Sequence, residues 1–83
     1  MKHFTYILFS NKTNKYYIGS TGDLEIRLER HNAGATKSTK PGRPWKIVYY
    51  EIFDNKSDSI KRELQIKKMK SRLYIENLIL GND

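Results

Sequence analysis

Five side chains in this sequence are of types that together can cleave a phosphodiester bond. Tyr6 and Tyr17 lie close to the start of the chain, Arg27 and His31 follow, and Glu63 comes much later. A phenol can orient or deprotonate a water, a guanidinium stabilises charge on phosphate, and a carboxylate can bind a metal ion. We therefore ask whether the chain can bring these five residues together.

The two tyrosines fall on a predicted β-hairpin. Residues 4–9 and 15–19 form short runs with alternating or β-favouring side chains, separated by the turn-like sequence Asn-Lys-Thr-Asn. If the hairpin closes symmetrically on that turn, we expect Tyr6 to lie directly opposite Tyr17. Both phenols would then share one face of the sheet, with Gly19 leaving room beside them.

Arg27 and His31 fall on the inward stripe of a predicted helix that ends near Asn32. They are spaced with Leu24 and Leu28 at i, i+3, i+4 and i+7, which is typical of a core-facing stripe. An unpaired charge on such a stripe is costly. Either Arg27 extends its head group to the edge while His31 bonds a backbone carbonyl, or both serve a site open to an anion. Their proximity to the paired tyrosines favours the second interpretation.

The rest of the chain predicts one more strand and two more helices. Residues 45–53 are rich in β-branched and aromatic side chains, and we expect them to join the hairpin as a third strand. A helix is predicted from Asp58 to Met69, with Ser57 as its cap, followed by an amphipathic segment over residues 73–80. The fold class is therefore α+β: a small three-stranded antiparallel sheet flanked by helices, in the order ββ-α-β-α-α. Three residues of the last segment are available to cover the core: Leu73, Leu78 and Ile79.

Glu63 is an acidic residue among apolar neighbours on the predicted second helix. At about 100° per residue, it lies between Ile66 on one side and Ile60 and Leu64 on the other. A carboxylate in that position needs a partner, which could be the cation of Arg27, a metal ion or its own proton. The remaining acidic residues fall on outward faces or in loops.

Composition limits the class of protein. The chain has 83 residues, a net charge of +7 and no cysteine, which indicates one domain over residues 1–83 with a polyanionic partner. That partner could be nucleic acid or an anionic membrane surface, but no basic amphipathic helix with bulky exposed apolar residues supports the membrane. The absence of cysteine excludes a disulfide framework and is compatible with a cytoplasmic location.

Basic residues form two groups that could follow a phosphate backbone. One group lies in the loop over residues 35–44, and the other falls on one helix face if the second helix continues past Met69. A solvated surface is the alternative for both. The candidate nucleic-acid-binding residues are Lys37, Lys40, Arg43, Lys61, Lys68 and Arg72.

The ordered set of motifs resembles the GIY-YIG nuclease superfamily, in particular its small stand-alone bacterial branch. Members include catalytic domains of intron homing endonucleases and the N-terminal domain of the excision-repair nuclease. The resemblance covers nearly the whole chain. The motifs that carry it are Phe4-Thr5-Tyr6, Tyr17-Ile18-Gly19-Ser20-Thr21, Arg27-Leu28, His31-Asn32-Ala33-Gly34, Pro44-Trp45-Lys46 and Lys61-Arg62-Glu63.

The resemblance implies an endonuclease that hydrolyses DNA with low sequence selectivity, using Mg²⁺ or Mn²⁺ held by Glu63. Tyr6 or Tyr17 would act on the attacking water, helped by Arg27 and His31. Branched, nicked and single-stranded DNA are the alternative substrates, in repair or recombination, and a protein partner is compatible with this role. The other function to weigh is a non-catalytic nucleic-acid-binding or adaptor module. Asn77 is the candidate for a late asparagine that family nucleases often carry near the site.

Overall fold

The computed structural model describes residues 1–81, so the last two residues of the predicted domain lie outside the described residues. Three strands and three helices follow one another in the predicted order ββ-α-β-α-α, with one 3₁₀ turn in the loop before the third strand. The elements are β1 (His3–Ser10), β2 (Lys15–Thr21), α1 (Leu24–Asn32), the 3₁₀ turn (Lys40–Gly42), β3 (Trp45–Phe53), α2 (Lys56–Met69) and α3 (Arg72–Leu80).

The strands form one antiparallel sheet in the order β2-β1-β3. The expectation that Tyr6 lies opposite Tyr17 is wrong, because Tyr6 pairs with Gly19 and Tyr17 pairs with Leu8. Symmetric closure on the four-residue turn pairs Ser10 with Lys15, and counting from that pair places Gly19, two residues beyond Tyr17, opposite Tyr6. Tyr6 and Tyr17 still share one face, since side chains alternate along a strand and the expected register was displaced by two residues.

The two faces of the sheet carry separate hydrophobic clusters. On one face, buried Tyr6 and Leu8 pack with Trp45, and Leu28 of α1 covers them. On the other face, Ile7 packs with residues of α2 and α3. The candidate tyrosines and α1 therefore lie on the same side of the sheet, whereas the bodies of α2 and α3 pack on the opposite side.

The helices correct two details of the expected structure and confirm two others. Asn55, and not Ser57, caps α2, because its side chain accepts a hydrogen bond from the Asp58 N–H. Helix α2 stops at Met69, as predicted, since Lys70 adopts a left-handed conformation with φ of 49°. Leu73 is 67 % exposed and covers no core, whereas Leu78 is buried as expected.

No helix within residues 1–81 combines the length and the apolar character needed to cross a bilayer.

Candidate active site

A chain of hydrogen bonds links Arg27 to the loop before β3. The Arg27 Nε–H donates to the Tyr6 hydroxyl at 3.4 Å, and that hydroxyl lies 3.1 Å from His31 Nε2. The other ring nitrogen, His31 Nδ1, lies 2.7 Å from Thr39 Oγ1, which in turn donates to the Thr36 carbonyl at 3.2 Å. Of the sequence-predicted residues, Tyr6 is therefore in direct contact with both Arg27 and His31.

The donors and acceptors in this chain admit one consistent arrangement of protons. Because the Thr39 hydroxyl donates its only proton to Thr36, it accepts from His31 Nδ1–H. His31 Nε2 is then an acceptor in the neutral ring, and Tyr6 donates its hydroxyl proton to it. Tyr6 is therefore a neutral phenol whose oxygen also accepts from Arg27. The tautomer of His31 follows from the network around it.

The electrostatics of the site agree with that arrangement. Burial raises the pKa of the Tyr6 phenol above 10, and the negative charge of Glu63 adds a smaller increase, although Arg27 acts in the opposite direction. Burial also lowers the pKa of His31, and the nearby Arg27 cation lowers it further. The hydrogen bond to Tyr6 raises the pKa of Arg27. At neutral pH the site therefore contains a neutral phenol, a neutral imidazole and a guanidinium cation.

Tyr17 stands beside this chain without joining it. Its ring packs edge-on against His31, with centroids 5.0 Å apart, and against Trp45 at 6.4 Å. Within residues 1–81 its hydroxyl has no hydrogen-bond partner. The structure thus separates the two phenols: Tyr6 is committed to two partners, whereas the Tyr17 hydroxyl remains available.

Gly19 provides the room that Tyr6 requires. A Cβ atom at Gly19 would lie 2.5 Å from the Tyr6 hydroxyl oxygen and 2.7 Å from the adjacent ring carbon. Neither distance is compatible with a real side chain, so the phenol occupies space that only glycine leaves open. The glycine of the Tyr17-Ile18-Gly19 motif therefore has a direct steric function, as the sequence indicated.

Glu63 is mostly buried, and its side chain retains 17 % exposure. Its Oε2 accepts a hydrogen bond from Lys67 Nζ at 2.6 Å, one helical turn away. Lys67 was not among the expected partners of this carboxylate, although the i, i+4 spacing was readable. Glu63 nevertheless lies near enough to the site to raise the pKa of both Tyr6 and Arg27, as a minor contribution beside the causes named above.

The donor set near Glu63 suits a hard divalent cation held mainly by water and substrate. Mg²⁺ accepts one carboxylate and completes its shell with waters and phosphate oxygens. Glu63 offers such a carboxylate, and its Oε1 has no hydrogen-bond partner among the described residues. Residues 1–81 contain no cluster of three or more acidic or histidine ligands. Glu63 would therefore be the single protein ligand of a metal.

The predicted nucleic-acid-binding residues lie on three parts of the chain: the loop before β3, helix α2 and the start of α3. Lys37 and Lys40 are exposed in the loop before β3, and the Arg43 Nε donates to the Lys40 carbonyl at 3.0 Å. Lys61 and Lys68 are exposed on α2. Arg72 would share the α2 face only if that helix continued past Met69, and it does not, because the helix ends at Met69 and Arg72 begins α3.

Arg72 instead fastens α3 to the hairpin turn. Its guanidinium donates to the Asn14 carbonyl and side chain at 2.8 and 2.9 Å, and it lies over the Tyr16 ring at 4.9 Å. It also pairs with Glu76. These contacts give Arg72 a structural function. Asn77, the candidate late asparagine, is half-buried on α3, and α3 packs on the opposite face of the sheet.

Two residues of the site lie outside the sequence predictions. Thr39 is fully buried and holds His31, and its carbonyl accepts the Trp45 Nε1–H at 2.6 Å. Asn32 bonds the Trp45 backbone twice, donating to the carbonyl at 3.0 Å and accepting the N–H at 2.6 Å. Thr39 lies in a loop with no periodic pattern, so nothing in the sequence indicated its burial. The His31-Asn32 pair and Trp45 were present in the quoted motifs.

A further network on the other face was also missed. Arg62 pairs with Glu51 at 3.0 Å and donates to the Tyr74 hydroxyl, which joins β3, α2 and α3. Burial, followed by the contact with Glu51, raises the pKa of Tyr49 to about 12. This network fixes the orientation of α2, and therefore of Glu63 on the same helix.

Comparison with known proteins agrees with the geometry. A family model described as the GIY-YIG catalytic domain matches residues 2–76. A UPF0213 protein of Staphylococcus haemolyticus is 45 % identical over 67 residues, covering 80 % of each chain. A UPF0213 protein of Syntrophus aciditrophicus is 48 % identical over 71 residues, covering 82 % of this chain and 79 % of its own.

A solved structure extends the similarity to the fold. The solution NMR structure of a UPF0213 protein from Bacillus halodurans superposes with a TM-score of 0.59 at 30 % identity. The match covers 95 % of this chain and 83 % of that one. GIY-YIG domains are nuclease domains that act on DNA and generally use divalent metal ions. The chain belongs to the GIY-YIG family, and that membership implies an endonuclease.

Proposed function

We propose that this protein is a metal-dependent endonuclease that hydrolyses DNA phosphodiester bonds with low sequence selectivity. The observation that supports this most directly is a row of hydrogen bonds that links Arg27, Tyr6, His31 and Thr39. Beside it lies the Tyr17 hydroxyl, which has no hydrogen-bond partner within residues 1–81. Together they provide a fixed cation, a fixed imidazole and an available phenol at one place on the sheet. Glu63 is close enough to raise the pKa of both Tyr6 and Arg27.

Arg27 is the residue that binds the phosphate. Its Nε–H donates to the Tyr6 hydroxyl, and within residues 1–81 its two terminal nitrogens have no hydrogen-bond partner. A guanidinium held at one nitrogen presents the others as a planar fork, which matches two phosphate oxygens. Because Tyr6 fixes the guanidinium in advance, little side-chain freedom is lost when charge develops on the phosphate.

Tyr17 is the phenol that contacts the attacking water. The Tyr6 hydroxyl cannot serve this purpose in the same geometry, because it donates to His31 and accepts from Arg27, and its side chain is almost completely buried. Tyr17 has a partly exposed side chain and packs against the neutral His31 ring. We assign Tyr6 and His31 to positioning and Tyr17 to the water.

Glu63 would hold the Mg²⁺ or Mn²⁺ ion, with waters and substrate oxygens as the other ligands. When bound there, the metal supplies Lewis-acid stabilisation of phosphate charge and a more acidic water. Glu63 contributes a carboxylate that is largely withdrawn from solvent, which strengthens its interaction with a cation.

Low sequence selectivity is consistent with the exposed cations near the site. Lys37 and Lys40 are exposed side chains suited to phosphates, which carry no sequence information. Selection would then depend on DNA structure, with branched, nicked and single-stranded DNA as alternatives, in repair or recombination. With DNA as substrate, we propose a cytoplasmic protein in which residues 1–83 form one domain.

A non-catalytic nucleic-acid-binding module is the second candidate function. The observation in its favour is the bond from Lys67 to Glu63, which already satisfies one carboxylate oxygen. In that case Arg27 would hold phosphate without cleavage, and no metal would be needed. The two functions differ in what Glu63 does. The nuclease requires its carboxylate, whereas a site that only binds phosphate would bind it more tightly without the negative charge of Glu63.

The test is whether the purified protein cleaves matched single-stranded, nicked, branched and duplex DNA in the presence of Mg²⁺, Mn²⁺ or excess EDTA. We expect metal-dependent cuts that Glu63→Gln abolishes, with DNA affinity equal to or slightly above wild type. Glu29→Gln, which removes the same charge from an exposed position of α1, should cut normally. Cleavage in excess EDTA, or by Glu63→Gln, would contradict the metal role. Binding without any cut would favour the second candidate.

A further inference from the structure

A cavity of about 190 Å³ lies next to Tyr17, between the hairpin turn and the 3₁₀ turn. It is bordered by Thr13 and Lys15 on the hairpin side and by Ser38 and Pro41 on the loop side. None of these four residues takes part in the hydrogen-bonded chain from Arg27 to Thr39. We call this cavity the hairpin pocket.

The walls of the hairpin pocket are rich in rings. Tyr17 and Trp45 both line the pocket, with their rings packed edge-to-face and their centroids 6.4 Å apart, and Tyr16 and Pro41 contribute further lining. Aromatic side chains stack on nucleobases, because every base has a π face, and such stacking is tolerant of sequence. The lining therefore suits a flat heterocycle.

The pocket also offers hydrogen-bonding groups with no partner. The Thr13 Oγ1 atom is buried, and within the described residues it makes no hydrogen bond. Buried hydroxyls are nearly always satisfied, so an orphaned one beside a cavity indicates a ligand atom or water. Ser38 adds a second hydroxyl to the lining. A base edge, which carries both donors and acceptors, can satisfy these groups.

Lys15 gives the pocket a positive charge. It is exposed, it forms no ion pair within residues 1–81, and no acidic residue lines the cavity. A nucleotide whose base entered the pocket would place its phosphate within the field of this lysine. Charge, rings and hydroxyls therefore indicate the same class of ligand.

We propose that the hairpin pocket binds one unpaired nucleobase of the DNA strand that Tyr17 contacts. This rests on the proposed function and narrows it to substrates with single-stranded character at the cut. A base within a duplex is paired and stacked on both faces, so it can enter such a pocket only after extrusion, which costs free energy. The pocket thus selects strands by the availability of a base.

Trp45 allows a direct test, because it is the only tryptophan in the chain and it lines the pocket. In excess EDTA, its fluorescence is titrated with single-stranded oligonucleotides and with a fully paired duplex of equal phosphate concentration. We expect a saturable change with single strands and a much smaller one with the duplex. Anisotropy of labelled DNA measures total binding in the same samples.

Two variants remove the pocket's hydroxyls. Thr13→Val and Ser38→Ala should each weaken single-strand affinity by about three- to tenfold, as expected for one lost hydrogen bond. The control Ser57→Ala removes an exposed hydroxyl from α2 and should bind like wild type. Because the Thr13 hydroxyl has no partner, Thr13→Val should unfold at wild-type denaturant concentration or slightly above, so its loss of affinity would not reflect a damaged fold.

Several outcomes would contradict nucleobase binding in the hairpin pocket without contradicting the proposed nuclease function. One is DNA binding by anisotropy with an unchanged Trp45 signal, and another is an equal signal from duplex. Wild-type affinity of both Thr13→Val and Ser38→Ala for single-stranded DNA would also contradict it. So would a Trp45 fluorescence change of equal size on adding polyglutamate of matched charge. Failure to bind any DNA would overturn the proposed function as well.

Discussion

The Tyr6 phenol lies where the side chain of Gly19 would otherwise be. The two residues are paired across the hairpin, and a Cβ atom at Gly19 would come within 2.5 Å of the Tyr6 oxygen. In this position the Tyr6 oxygen accepts a hydrogen bond from Arg27 and lies 3.1 Å from His31 Nε2. One glycine therefore determines the position of the atom on which the hydrogen-bonded chain depends.

Gly19→Ala should both destabilise the protein and slow cleavage. The added methyl must displace the phenol, and overpacking of this kind costs about 1–3 kcal/mol. Urea unfolding measures the loss, and cleavage under conditions where the variant stays folded measures the catalytic part. Gly22→Ala is the control, because its Cβ would meet His3 at an ordinary 3.6 Å. Equal behaviour of the two variants would contradict the steric role of Gly19.

Tyr17→Phe should lower the cleavage rate by at least about a hundredfold, the smaller end of the usual effect of a general acid or base. Its ring packing remains, so DNA affinity and unfolding midpoint should stay near wild type. Tyr50→Phe, at an exposed position of β3, is the matched control. A normal rate for Tyr17→Phe would show that another group acts on the water.

Arg27→Lys keeps the charge but cannot bond Tyr6 and present a fork to phosphate at the same time. We expect the cleavage rate to fall at least about tenfold, which corresponds to roughly 1.4 kcal/mol of barrier. Arg30→Lys, on the exposed side of the same helix, should have no comparable effect. If Arg27→Lys unfolds the protein but its folded fraction cuts normally, Arg27 is a structural residue.

The lowered pKa of His31 makes stability depend on pH in a defined window. Below its ordinary pKa of 6.5 the unfolded chain protonates this histidine, whereas the folded chain keeps it neutral. The unfolded state then binds more protons, so the free energy of unfolding falls as the pH drops from 6.5 through the lowered pKa, and the contribution is complete above 6.5.

This is checked by denaturant unfolding across that range, together with NMR titration of the imidazole. His31→Gln should lose this part of the pH dependence, and His3→Gln should retain it. Cleavage should fall over the same range, because a protonated ring can no longer accept from Tyr6. An imidazole that titrates at or above 6.5 would refute the assigned tautomer and proton arrangement.

Lys67→Met should lower the metal concentration needed for half-maximal cleavage. Lys67 occupies one oxygen of Glu63, and a partly exposed pair of this kind is worth up to about 1 kcal/mol, which corresponds to a two- to fivefold shift. Lys68→Met removes the same charge one residue further along and serves as control. An unchanged metal requirement would mean that Lys67 does not compete with the metal.

The strands, the faces and the inward stripe of α1 were predictable because each has a short period in the sequence. The hairpin register was displaced by two residues, an error that leaves both tyrosines on the correct face. A displacement of one residue would have placed them on opposite faces. Periodicity therefore determined the side of the sheet, whereas the pairing follows from counting residues outward from the turn, where Ser10 pairs with Lys15.

The missed features have no periodic signal. Thr39 reaches His31 from an irregular loop, and burial there depends on tertiary packing alone. The Lys67 partner of Glu63 was readable as an i, i+4 pair, but competition between a lysine and a metal for one carboxylate is decided in three dimensions.

Thr39 bonds both His31 of the active site and Trp45 of the hairpin pocket. Its hydroxyl accepts from His31, and its backbone carbonyl holds the indole of Trp45 beside the hairpin pocket. Any shift of Trp45 on base insertion would act on the same residue that sets the protonation of His31. Coupling free energies are reciprocal, so a base that alters the proton affinity of His31 must itself bind with a pH-dependent affinity. Binding of a base in the hairpin pocket and protonation of His31 would then be two coupled steps of one thermodynamic cycle.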